Sequence, residues 1–286
     1  MAVETLNRDI EKTRLESGDS DPGAQSGKTL LATKTIDLGA GRSVIYRSYV
    51  LGSGGGGAWS PDDEASLLAW YDASDTDSIT IDSGSDVSQL NDKSGNGYHL
   101  TEATASEMPH TGVETINSLN VLDFDGSTHR LTNGSFPWAS NNNITILMVV
   151  EVDDPDGGHT VLRCGDSSWF QLRSSTTTGW LPFVEMFGAS NEDLFYDTGV
   201  DGAPVLVEME FDFANDENAL YVGGVLRDSN DPGYATALAS TVLDVMHNRG
   251  TLHTDGKFAE MIIFSTVDQT IRENARAYLN TKWGLA

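Results

Sequence analysis

"AWYDASDTDSITIDSGSDVSQLNDKSGNGYHLTEATA", residues 69–105, packs aspartate, asparagine, serine and histidine at short spacing around a glycine-bracketed turn. Such residues build metal, sugar or catalytic sites, and they equally build the tight turns of an all-β domain. The spacing favours turns. "ITIDSGSDVSQL" alternates in strand fashion around Gly84, and Gly95 and Gly97 permit the positive φ angles of a tight turn. Asn91 and Asp92 are placed to hydrogen-bond their own backbone.

The same signature recurs along the chain. "NNNITILMVVEVDD" is an apolar strand between turn residues, and "KFAEMIIFS" is a buried one. "PVLVEMEFDF" alternates strictly, with Val207, Met209, Phe211 and Phe213 on one face and Glu208, Glu210 and Asp212 on the other. "NALYVGGVLRD" is a hairpin turning at Gly223-Gly224. Many short strands with turn signals between them predict a sandwich or barrel. Near the end the period changes. Ile271, Ala275, Tyr278 and Leu279 form one helical stripe, with Thr266 or Asp268 as N-cap, Gly284 as C-cap and Trp283 plugging the helix onto the sandwich.

Before residue 58 the chain differs in character. "VETLNRDIEKTRLE" (3–16) carries Leu6, Ile10 and Leu15 at near-helical spacing and predicts a short, marginal helix. A linker composition follows at 17–27. "KTLLATKTIDLGAGRSVIYRSYVLG" then predicts a hairpin about "GAG", and "GSGGGG" (52–57) a joint. The division is into an arm, 1–57, and a sandwich, 58–286. A lone hairpin is not stable by itself, so the arm is expected to pair with something.

Charge separates the two segments as well. Residues 1–57 hold 7 basic and 7 acidic side chains, while 58–286 hold 10 basic and 36 acidic ones, the whole net charge of −26. That surface repels nucleic acid and anionic lipid. A neutral arm permits close approach of another chain, including further copies of itself. No apolar stretch reaches the ~18 residues of a membrane span. "MAVETLNRDIEKTRLESGDSD" has no apolar centre, so a chain without a signal peptide, made in a cytoplasm, is expected. The one cysteine, Cys164, follows an apolar run and reads as a small buried hydrophobe.

The order "LAWYDASD", "NDKSGNGYHLT", "LDFDGSTHRL", then the apolar strands, then "YLNTKWGL" resembles the laminin-G-like branch of the concanavalin A-like lectin/glucanase superfamily, over about residues 60–286. The resemblance implies an all-β, two-sheet antiparallel jelly-roll sandwich with the last helix packed against it. Modules of this type occur in adhesins and hydrolases, and as appended domains of bacteriophage virion proteins. The implied role is therefore a non-enzymatic virion structural protein, capsid-decorating or tail- and fibre-associated. Residues 1–57 would anchor it to other virion proteins, and the sandwich would face host-surface glycans. A free-standing carbohydrate-binding module and a glycoside hydrolase are the alternatives.

Three groups of candidate residues follow. Glycan stacking would use Trp138, Trp169 or Trp180, which lie in or beside loops; each could instead be buried at a sandwich edge. Trp59, Trp70 and Trp283 are expected to be core or packing residues. Calcium, the one cofactor considered, would use the hard oxygens of Asp72, Asp75, Asp123 and Asp125; with 43 acidic residues in the chain, such clusters also arise by chance. Hydrolysis would use Glu208, Glu210 and Asp212, since retaining chemistry needs two carboxyls about 5–5.5 Å apart. The plain alternative for that row is the solvated face of a half-buried strand. The histidines show no paired metal spacing, although His247 and His253 could meet across a turn.

Overall fold

A computed structural model describes residues 11–16, 28–39, 42–51, 59–141, 143–153, 160–165, 169–173, 183–187, 194–195, 202–213, 215, 217–230, 241–248 and 252–285. The chain divides into two units, Met1–Trp59 and Ser60–Ala286.

The first unit is a three-stranded antiparallel sheet in the order β1-β3-β2. Its strands are β1 (Glu11–Glu16), β2 (Lys28–Gly39) and β3 (Arg42–Leu51). The expected hairpin is present as β2–β3. The expected helix is not: its second half is β1, which pairs with β3 from Glu11↔Tyr49 to Glu16↔Val44. A helix this short gains little from its own hydrogen bonds, and a free strand edge offers the same backbone groups a full ladder. Residues 3–10 lie outside the described residues.

The second unit is an all-β jelly-roll sandwich with a C-terminal α-helix. Its strands begin with β4 (Leu67–Asp72), β5 (Ile79–Ser83), β6 (Asp86–Leu90), β7 (Leu100–Thr101), β8 (His110–Ile116), β9 (Leu119–Asp125) and β10 (Leu131–Asn133). Next come β11 (Asn143–Val152), β12 (Thr160–Cys164), β13 (Trp169–Arg173), β14 (Phe183–Phe187) and β15 (Leu194–Phe195). The last are β16 (Val205–Asp212), β17 (Glu217–Val222), β18 (Val225–Asn230), β19 (Leu243–Val245) and β20 (Asp255–Phe264), followed by the helix α1 (Gln269–Trp283). All pairings are antiparallel, and cross-connections such as β10–β19 and β12–β19 curl the sheet onto itself.

Strand β11 runs through the middle, paired with β16 on one side and β20 on the other. Ile146 lies between Met209 and Ile263, and Met148 between Val207 and Met261; all six are fully buried core residues. Each such side chain contributes roughly 1.5–3 kcal/mol through burial. Cys164 belongs to this core, and burial pushes its thiol well up. Alternation sends Leu147, Val149, Glu208 and Ile262 to the opposite face, also fully out of solvent. That face is covered by α1, which packs on β11 and β16.

The helix starts on Asp268, whose carboxylate accepts the backbone N–H groups of Thr270 (2.8 Å) and Ile271 (3.1 Å). It ends on Gly284 in the left-handed region at φ 67°. Its buried residues are Arg272, Ala275, Leu279 and Trp283, so the inward stripe includes a guanidinium.

The 69–105 stretch is structural. Asp92, buried in the turn before Gly95 (φ 85°) and Gly97 (φ 81°), accepts hydrogen bonds from the backbone N–H groups of Trp70, Ser94 and Tyr98 and from the Ser94 hydroxyl. One carboxylate thus ties the turn to strand β4.

Candidate ligand-binding cleft

The acidic row on β16 meets two environments. Glu208 has no solvent exposure, and its carboxylate takes a bidentate pair from Arg276 (Nε 2.8 Å, Nη2 2.7 Å) with Arg272 at 3.7 Å. Glu210 is 8% exposed, ion-paired with Arg272 Nη1 and accepting from the Tyr221 hydroxyl at 3.1 Å. Burial holds the Glu210 carboxyl above the usual carboxylate range even with Arg272 beside it. The expected solvated strand face is therefore a buried ionic one up to Glu210, because α1 brings its arginines over it.

Past Glu210 the helix no longer covers the sheet. There a cleft of about 480 Å³ opens between Val267, in the turn before α1, and the outer face of β16–β18. Strand β16 supplies Glu210 and Asp212; β17 supplies Glu217, Ala219 and Tyr221; β18 supplies Leu226 and Ser229; Val267 closes the helix side, and Asn218 also borders the space. The register fixes this: Glu210 opposes Ala219, Asp212 opposes Glu217 and Ala219 opposes Ser229. The Arg272 guanidinium lies 3.7 Å from the Tyr221 ring centroid, which holds the ring in place as the inner wall. Burial raises the Tyr221 phenol, so it stays protonated and able to donate. Leu226 is 51% exposed at the rim. Carboxylates and hydroxyls lie beside Ala219, Leu226 and Val267, so the lining combines hydrogen-bond acceptors with a small apolar surface.

The sequence-predicted residues fall elsewhere. Trp138 has no solvent exposure; its indole N–H donates to the Val242 carbonyl at 2.7 Å and its ring lies 4.2 Å from Phe136. It is a core residue and offers no stacking face. Trp169 lies on β13 opposite Phe187, its side chain outside what is described, and Trp180 lies outside the described residues.

The four aspartates divide into two places. Asp72 contacts Lys282 Nζ (2.7 Å) and Lys93 Nζ (3.0 Å), and Lys93 also reaches Asp75 at 2.6 Å. Burial works to raise the Asp72 carboxyl, but Lys282, Ser74 and Lys93 outweigh it and hold it below its ordinary range. Asp125 accepts the backbone N–H groups of Ser127, Thr128 and His129 at 2.8–2.9 Å, which hold it far below that range against burial. Asp123 opposes His110 and Lys257, and burial raises it. Among the described residues no cluster of three or more His, Cys, Asp or Glu has the geometry of a metal centre. Where two aspartates converge, at Asp72 and Asp75, the central cation is a lysine.

Two buried polar groups lie outside the three sets of candidates read from the sequence, although the sequence does suggest the His247–His253 pairing in the second. Glu260, inside the apolar run "FAEMIIFS", is fully buried and takes four donors: Trp70 Nε1 (2.7 Å), Tyr278 hydroxyl (3.0 Å), Lys282 Nζ (2.6 Å) and Trp283 Nε1 (2.8 Å). Trp70 and Trp283 are thus packing residues, as expected, with their indole N–H groups satisfied. The other is a cluster on β10, β12 and β19, where Asp244 meets Arg163 (3.2 Å) and Thr132 (3.0 Å), and His247 meets Thr132 (2.9 Å). His247 and His253 do meet, stacked at 6.0 Å. The cleft residues Glu217, Ala219 and Tyr221 give a partial signal. Alternation in "ENALYV" sets them on one face, but it does not say what lies over that face.

No protein-family model and no curated protein matches the sequence. Solved structures do match in fold. Domain 4 of AbnA, a GH43 extracellular arabinanase from Geobacillus stearothermophilus, in complex with arabinotriose, aligns with a TM-score of 0.57 at 14% identity, over 74% of this chain and 99% of that one. The binding domain of Paraclostridial Mosquitocidal Protein 1 aligns with a TM-score of 0.57 at 10% identity, over 78% and 53%. The ligand-binding domain of botulinum neurotoxin serotype D, in complex with N-acetylneuraminic acid, aligns with a TM-score of 0.54 at 14% identity, over 78% and 52%. This chain thus spans about half the length of the toxin domains. The similarity is one of fold.

Proposed function

We propose that residues 60–286 form a non-enzymatic glycan-recognition domain and that the β16–β18 cleft is its saccharide site. The observation that carries this is the cleft itself: an open space on the outer face of a jelly-roll sheet, with acceptor oxygens beside a fixed tyrosine and an exposed leucine. Saccharides present that pattern in reverse, hydroxyl donors around a C–H face. That carbohydrate and receptor ligands occur on structurally similar domains supports the reading. Hydrolysis is disfavoured because Glu208 and Glu210, two of the three carboxyls it would use, are each held by an arginine, which leaves Asp212 without a second free carboxyl on its own strand. A glycan array with the full chain tests the reading. Binding should appear, and should fall on Tyr221→Ala and Leu226→Ala; binding unchanged in both variants would move the site elsewhere.

The setting of the domain is read from its other part. Residues 1–57 are charge-balanced where the sandwich is strongly acidic. Together with the resemblance to appended virion modules, this supports attachment of an acidic, outward-facing domain to a bacteriophage particle through the N-terminal segment. Its partners there would be capsid or tail proteins and further copies of this chain. Deleting residues 1–57 should abolish incorporation into particles while leaving a folded 58–286. Particles that still incorporate the truncated chain would dismiss the anchor.

A further inference from the structure

The charges facing the cleft specify its ligand further, on the reading that the cleft is a saccharide site. Three carboxylates line it, from Glu210, Asp212 and Glu217, and among the described lining residues there is no lysine, arginine or histidine. The guanidinium behind the inner wall, Arg272, is engaged by Glu210 at one end and by Glu208 at the other, and lies over the Tyr221 ring. It neutralises the inner wall and leaves the mouth acidic.

At the mouth Asp212 and Glu217 stand directly opposite each other on β16 and β17. Like charges at a cross-strand pair oppose sheet formation, and strand sequences ordinarily avoid them. Asn215 fixes the Asp212 carboxylate at the rim, through its backbone N–H (3.0 Å) and its side-chain amide (2.7 Å). Glu217 is exposed. Two carboxylates facing each other at the rim of an open cleft favour a cationic group between them.

We propose that the cleft selects a saccharide bearing a protonated amine, a 2-amino-2-deoxy sugar, over its N-acetylated, neutral and carboxylated counterparts. The ammonium sits between Asp212 and Glu217, ring hydroxyls donate to carboxylate and Ser229 oxygens, and the C–H face lies against Leu226 and Ala219. A carboxylated sugar meets only repulsion at the same place.

The test is calorimetry on the full chain with four trisaccharides: glucosamine trimer, its fully N-acetylated form, a neutral glucose trimer and sialyllactose. The glucosamine trimer should bind best, and its affinity should fall as pH rises through the amine's own pKa. Asp212→Asn with Glu217→Gln should lower its affinity about five- to tenfold. Asp82→Asn, an exposed carboxylate on β5, should leave it unchanged. Equal binding of the neutral and amino trimers overturns the charge selection and leaves the saccharide cleft standing. No binding of any saccharide overturns the cleft reading too. An equal loss in Asp82→Asn, or spermidine competing as well as the sugar, shows attraction to a generally acidic surface and overturns the proposal.

Discussion

Strand β16 carries one row of carboxylates with two fates. At Glu208 and Glu210 the row is roofed by α1, and arginines neutralise it. At Asp212 the roof has ended, and the carboxylate opens onto a cleft with Glu217 facing it. The row is acidic and evenly spaced throughout; the difference is the reach of one helix. An acidic residue on a strand is structural glue or open surface according to what lies over it. Glu260 extends the closed end across β11 to β20, with two indoles, a phenol and an ammonium as its partners.

Glu260→Ala should have the largest effect, a loss of about 3–5 kcal/mol in denaturant unfolding, because it leaves both buried indole N–H groups without their acceptor and Lys282 with Asp72 alone. Arg276→Ala should follow at about 2–4 kcal/mol, by stranding Glu208 in the interior; Glu208→Leu combined with Arg276→Leu should restore most of that loss. If Arg276→Ala unfolds like the parent, the closed end is not held by charge.

Acid probes a third place, away from both ends. Burial lowers His247 from 6.5 to about 4, and Asp244 opposes this only in part. Between those values the unfolded chain takes up a proton that the folded chain refuses, so stability falls on acidification through that window. The loss is about 3 kcal/mol by pH 4. His129, also lowered chiefly by burial, acts with the same sign. Glu210 and Glu260, raised by burial, act oppositely, since their folded forms hold protons more tightly than the unfolded chain. Melting temperature against pH should therefore slope down toward acid, and His247→Gln should flatten the slope. The smallest effect belongs to the open end. Glu217→Gln should change stability by less than about 0.5 kcal/mol, with any change a gain.

Legibility in the sequence varies by residue. Period-two alternation is enough to put Val207, Met209 and Phe211 in the core, because alternation is a property of one strand. It cannot say that Glu208 is buried, because its cover arrives from residues some 70 positions later. The helix itself is readable from Ile271, Ala275, Tyr278 and Leu279, yet the buried stripe runs through Arg272, Ala275, Leu279 and Trp283. An apolar template skips an inward arginine, and it is that arginine which reaches Glu210. Trp138 misleads for a related reason: "SFPWAS" looks like a loop, but its short 3-10 turn folds the indole inward onto Phe136. Asp92 is legible as a turn residue, since its partners are within a few positions or on the adjoining strand.

The chain order of the closed end has a consequence for synthesis. Glu208, Glu210 and Glu260 are translated before Arg272, Arg276 and Lys282, so a nascent sandwich emerges with these carboxylates lacking their cationic partners. The strands can be present and the apolar side chains collapsed, yet the outer face stays self-repelling until α1 leaves the ribosome. Folding of this domain is then expected to finish only when that segment of 15 residues is available. A message cut short before that segment would yield a chain with most of its sheet and no means of closing it, a ready substrate for quality-control proteases.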